Sequence, residues 1–282
     1  MNPSNQNHSV RYRWLMLSLL FIGIASLSWK MLAASEPKPE TIILSGTVNA
    51  DPKVDKEADK ILKQMSDYLT SLDQFSYKSE GSTEDVDKDN KKHKTAYNSE
   101  VYVDRPNKLR VNAASGDRAA SIYYDGKLFT VMGKKVNMYA QANAPATLDQ
   151  ALDEARDKLE LDPPGADLIY TNPYTGLMEE VVEGKFKGDE KINGTSCNHL
   201  AFKGKEVDWE IWIEKGSKPL PRKYLIVSKN LPEKPEFVVE FNDWNVSPSL
   251  DNQLFAFVPP SGARKIEFMQ AKQMRDANNP KK

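Results

Sequence analysis

A single cysteine and three histidines are all this 282-residue chain offers of the side chains that most often build redox and metal sites. One thiol, Cys197, excludes an internal disulfide, a CxxC redox motif and any zinc site built on paired cysteines. Cys197 also lies far from the N-terminal hydrophobic segment, so no lipid is attached there through a cysteine, and its plain reading is a buried structural thiol. Charge of one sign is equally scarce, the net charge being −1. Setting aside Arg11, Arg13 and Lys30, the only charged residues among the first 35, leaves 36 bases against 40 acids. That balance gives no electrostatic basis for binding nucleic acid or an anionic membrane surface. Lys91, Lys92 and Lys94 form a short basic run, but Asp85, Asp87 and Asp89 directly precede it, as in a solvated turn.

Long apolar runs are missing too, with one exception from Trp14 to Trp29. Arg11 and Arg13 precede it and small residues follow, the arrangement of an export signal. The run is shorter than the roughly 20 residues of a comfortable membrane span. Tyr12 separates the two arginines, which argues against a twin-arginine signal. Met31 to Ser35 offers cleavage after Ala34 or Ser35, and an uncleaved anchor is the alternative because apolar residues resume beyond Lys30. Either way the positive end stays inside, the remainder is expected in the periplasm, and membrane contact is expected only through this segment. Residues 1–35 are thus read as signal, 36–50 as a proline-containing tether, 51–269 as one domain and 270–282 as a polar tail.

Within the domain, hydrophobic period is the guide. Asp51 followed by Pro52 predicts a helix start, since proline at the first helical position gives up an N–H that has no partner there. Ala58, Ile61, Leu62, Met65, Tyr68, Leu69 and Leu72 then recur at spacings of three and four, one apolar stripe facing a core. From Phe75 to about Ala140 the period is two. Tyr97, Ser99, Val101 and Val103 share one strand face, and Leu109, Val111 and Ala113 another. Shorter strands are predicted over Ile122–Tyr124, Leu128–Met132 and Val136–Tyr139, with Asp125-Gly126 as a hairpin turn. Thr147 with Gln150 predicts a second helix, stopped by Pro163-Pro164, and Pro173 opens a short third one through Met178. After Gly184 four further strands are predicted, marked by Leu200 and Phe202, by Val207 to Ile213, by Tyr224 and Ile226, and by Phe237 to Phe241. Two antiparallel strand blocks with two or three helices make an α+β fold, the leading helix covering one face of the sheet.

Candidate chemistry is sparse. Strand alternation puts Cys197 and His199 on one face, but no acid or oxyanion motif that would orient such a pair is evident, so a structural role is expected for both. His93 falls in the charged turn. Asp85, Asp87, Asp89 and Asn90 imitate the opening of a calcium loop, yet Asn90 and Ala96 stand where that loop needs glycine and glutamate. Asp208, Glu210 and Glu214 share a strand face opposite Trp209, Ile211 and Ile213, as a water-facing side would. Trp212 on that polar face is the exception, and it needs a cover or a partner. No catalytic residue, metal site or cofactor is expected.

Several stretches together carry a resemblance. They are Met65, Tyr68, Leu69, Leu72 and Phe75; Arg105-Pro106 with Leu109; Tyr124-Asp125-Gly126-Lys127; Cys197 to Phe202; Val207 to Ile213; Pro219 to Lys223; and Trp244, Phe255, Phe257 and Pro259-Pro260. On these residues the chain resembles a family of predicted periplasmic proteins of unknown function, similar in fold to the LolA and LolB lipoprotein carriers. The resemblance implies a curved antiparallel sheet, an open half-barrel, with helices covering its concave face. In the carriers that hollow receives acyl chains. By analogy, Met65, Leu69, Leu72, Val101, Trp209, Ile211 and Phe241 are expected to line a cavity for a lipid, a lipoprotein acyl chain or another apolar ligand. The alternative expectation is a cell-envelope interaction or sensor protein, with a self-filled core and a protein partner.

Overall fold

Two aspartates stand near the start of the domain, and the second begins the first helix. In the computed structural model, which describes residues 52–268 apart from 88, 160 and 162, helix α1 spans Lys56–Thr70. The Asp55 carboxylate accepts the Glu57 backbone N–H at 3.0 Å. The predicted start at Asp51 is thereby corrected. Pro52 leads instead into β1, Lys53–Val54, which pairs with Glu183 and Gly184. That long-range pairing leaves no local trace in the sequence. The apolar stripe is as read: Ala58, Ile61, Leu62, Met65 and Leu69 are buried, with Leu72 buried just past the helix end. The signal and tether lie outside the described residues.

Alternation then sets the strands. β2 (Gln74–Val86) and β3 (Lys92–Asp104) form a long hairpin. At its tip the Asp87 carboxylate accepts the N–H groups of Asp89 and Lys91 and pairs with His93 at 2.7 Å, so the charged run is a turn. β4 (Lys108–Ser115), β5 (Arg118–Tyr124), β6 (Leu128–Gly133) and β7 (Met138–Asn143) continue as a meander. Gly126 has φ 88°, as the Asp-Gly turn requires. The strand expected from Val136 starts later, because Val136 sits exposed in a turn where Asn137 takes positive φ.

Helix α2 covers Leu148–Leu159 and α3 covers Pro173–Met178, the latter with the predicted proline at its first position. The second block holds β8 (Val181–Ile192), β9 (Thr195–Gly204), β10 (Val207–Glu214), β11 (Pro221–Ser228) and β12 (Glu236–Asn245), and a short β13 (Arg264–Ile266) closes the series. The four strands expected after Gly184 are β9 to β12; β8, which begins at Val181, is not among them.

All strands join one sheet, in the order β1-β8-β9-β10-β11-β12-β2-β3-β4-β5-β6-β7-β13. The β12–β2 pairing, with Phe241 opposite Ser79, fuses the two blocks. Every pair is antiparallel except the outermost two, β1 with β8 and β13 with β7. The sheet does not close on itself, and twist curves so wide a sheet. The α+β expectation of a curved open antiparallel sheet therefore stands.

The inner face carries Leu200, Phe202, Trp209, Ile211, Tyr224, Ile226, Phe237 and Phe241, in one core with the stripe of α1. The helices are tied down by polar contacts. Ser66 Oγ accepts the Tyr174 N–H at 3.0 Å, and Tyr174 donates its hydroxyl proton to Asp59. Arg105 donates to three backbone carbonyls, through Nε to Leu72, Nη1 to Ile169 and Nη2 to Tyr170, while its guanidinium lies 5.3 Å from the Phe75 ring centre. Asp149 of α2 accepts both the N–H and the hydroxyl of Thr171.

Candidate functional site

Met65, Leu69, Leu72, Val101, Trp209, Ile211 and Phe241 are brought together: all seven are buried in the single large core. Side chains fill the space among them. Trp209 also borders a small hollow beneath α3, about 20 Å³ in volume, shared with Leu177, Glu180 and Tyr224. Such a space holds about one water. Burial raises the Glu180 carboxyl above the usual carboxylate range, and its Oε2 is buried without a protein partner, so a water there would satisfy it.

A larger hollow of about 350 Å³ opens off the same core at its other end, between α2 and the β6–β7 side of the sheet. Its origin is compositional. Ala142 and Ala144 at the end of β7 face Ala151 and Ala155 on α2, positions where a sheet and a helix ordinarily bury larger side chains. Phe129, Leu159 and Phe268 complete the apolar wall, and Asn143, Glu154, Lys158 and Glu267 form the polar rim. Lys158 Nζ lies 2.6 Å from Glu154 Oε1. None of the seven residues expected to line a cavity borders this hollow. A sequence signal for it exists all the same: alanines alternate at 140, 142 and 144, and Ala151 and Ala155 stand four apart on a helix. Small residues on two facing elements become a hollow only once the elements are known to face each other.

The outer face of the second block carries a separate cluster. His199 on β9 stacks on Trp212 of β10, ring centres 4.2 Å apart and planes 12° from parallel. Glu210 Oε2 lies 2.6 Å from His199 Nε2, and Glu190 Oε2 lies 3.3 Å from Nδ1. Glu190 also accepts the Trp212 indole N–H at 2.7 Å. Trp212 on the polar face thus has both a cover and a partner, with Lys223 5.0 Å above its ring. The acids beside His199 were missed in the sequence because they arrive from the two neighbouring strands. Cys197 is buried against Trp212 and Ile192 and donates toward the Thr195 carbonyl, and burial raises its thiol pKa. Cys197 and His199 share a face as expected, but the imidazole is engaged by the two glutamates.

Residues 58–269 match a family described as "Predicted periplasmic protein (DUF2092)". No protein of curated function matches the chain in sequence. Similar solved structures include an uncharacterised conserved protein from Thermus thermophilus, with 12% identity, TM-score 0.45, 75% of this chain and 99% of that one covered. LprF from Mycobacterium bovis shows 11% identity and TM-score 0.41 over 74% and 98% of the two chains. A LolA superfamily protein from Nitrosomonas europaea shows 13% identity and TM-score 0.33 over 71% and 97%. Likenesses this distant carry no function across, and the chain's own geometry has to supply it.

Proposed function

The chain belongs to this DUF2092 family of predicted periplasmic proteins, and we propose that it is a non-enzymatic binding protein that holds one apolar chain between α2 and the β6–β7 side of its sheet. The observation that carries this reading is the alanine-lined hollow of about 350 Å³, within the range of small-molecule sites. At about 30 Å³ per water-sized group, it accepts on the order of ten methylenes. Burying ten methylenes is worth on the order of 8 kcal/mol before association costs. Association costs of about 4 kcal/mol or more leave on the order of 4 kcal/mol, so a ligand of this size binds in the millimolar range, and a longer chain is needed for tighter binding. Phe129, Ala151 and Ala155 of the hollow belong to the same core as Met65, Leu69, Leu72, Val101, Trp209, Ile211 and Phe241, so a longer lipid or lipoprotein acyl chain would reach those residues only by displacing packed side chains. Against an enzyme stands the engagement of both His199 ring nitrogens by carboxylates, which leaves no free base beside Cys197.

A second reading draws on the tight packing of those seven residues: an envelope interaction protein whose interior is filled by itself. Calorimetric titration of the delipidated full-length protein with decanol separates the two. Saturable binding near one molecule per chain supports the binding protein. Absence of saturable binding by folded protein favours the interaction protein.

A further inference from the structure

The rim of the larger hollow is not electrically neutral. Glu154 and Lys158 form a pair at 2.6 Å, which uses the lysine's charge. Glu267, exposed beside Phe268, is left as the unmatched charge among the described rim residues. Asn143 adds a neutral polar group. The apolar wall has room for a single chain of about ten carbons at about 30 Å³ per group, and two chains do not fit that volume.

Resting on the binding-protein reading, we infer that the hollow takes a single-chain amphiphile whose head is neutral or cationic, an alcohol or an amine, and discriminates against the fatty-acid carboxylate. A carboxylate head at this rim meets Glu267, and among the described rim residues the one cation, Lys158, is already paired with Glu154. An ammonium head gains from the same residue. For one unit charge at about 6 Å in a watery rim, the expected discrimination per charge is roughly three- to tenfold at low salt, declining as ionic strength rises.

The test compares decylamine, decanol and decanoate, which share a chain and differ in head charge, by calorimetric titration of the full-length protein at pH 7 and low salt. The expected order of affinity is amine, alcohol, carboxylate. Glu267→Lys should reverse the order of amine and carboxylate while leaving decanol unchanged. Glu154→Gln, which frees Lys158, should strengthen decanoate and weaken decylamine while leaving decanol unchanged. Ala142→Phe should fill the hollow and weaken all three; if that variant fails to fold, Ala144→Leu serves the same purpose. Saturable binding of all three within twofold of one another, or tightest binding of decanoate, overturns the head selectivity and leaves the binding-protein reading intact. Equal binding by wild type and a folded filling variant overturns the site. No saturable binding of any of the three overturns both.

Discussion

Arg105 holds the connection between α2 and α3 against the end of α1, and its removal should be costly. Its three hydrogen bonds end on the carbonyls of Leu72, Ile169 and Tyr170 at 3.3, 2.9 and 3.0 Å. Leu72 and Ile169 are buried. Burial lowers the guanidinium's own pKa, so part of the interaction offsets desolvation. Hydrogen bonds from a charged donor are worth about 1.5–3 kcal/mol each, less where water can replace the donor. Arg105→Ala should therefore cost about 3 kcal/mol, and Arg105→Met nearly as much, because Met keeps packing on Phe75 but leaves the carbonyls without a donor. In a domain of this size that lowers Tm by about 6–12 °C. Arg105→Lys should recover about a third, since an ammonium cannot reach three divergent carbonyls with a planar fork. Urea unfolding followed by tryptophan fluorescence measures this directly, with Trp244 6.0 Å from Phe75 as a near reporter. A loss below about 1 kcal/mol for the alanine variant, on the scale of a neutral hydrogen bond, or full stability of the lysine variant, would refute the reasoning.

Stability should also fall in alkali. Burial pushes the Tyr124 phenol up to about 12, and Tyr174 rises to about 12 chiefly through its hydrogen bond to Asp59. Unfolded phenols ionise near 10, so the stabilisation is complete below that pH and is lost as pH rises toward 12. A Tm that stays flat from pH 9 to 11 would contradict this. Cys197, its thiol raised by burial, should react with a thiol reagent only as fast as the native protein opens, and rapid labelling of folded protein would show the thiol to be accessible. An alkaline phosphatase fused after Ala50 should be active in cells, in keeping with a periplasmic domain; a stable but inactive fusion would oppose that location.

Local patterns made much of the fold legible. The stripe from Ala58 to Leu72 identified α1, Asp125-Gly126 the β5–β6 hairpin, and Pro173 the start of α3, because each depends on residues a few positions apart. Trp212, flagged as an aromatic on a polar face, did find its partners. What stayed hidden depends on register. Pro52 looked like a helix start until β1 was seen to pair with β8. The acids at His199 come from β8 and β10, and alternation along one strand says nothing of its neighbours. The hollow is hidden for the same reason, since Ala142 and Ala155 are both unremarkable until β7 and α2 face each other. The seven large apolar residues read as cavity lining carry a strong hydrophobic signal, and the same property gathers them into one buried core.

The central claim is the place where an apolar chain binds, and a brominated ligand locates it. Crystals of the protein grown with 10-bromodecanol should show one anomalous bromine peak between α2 and the end of β7, within reach of Ala142, Ala155 and Phe129. A peak on the outer face beside Trp212, or no peak in crystals of protein shown to be saturated in solution, would contradict the account.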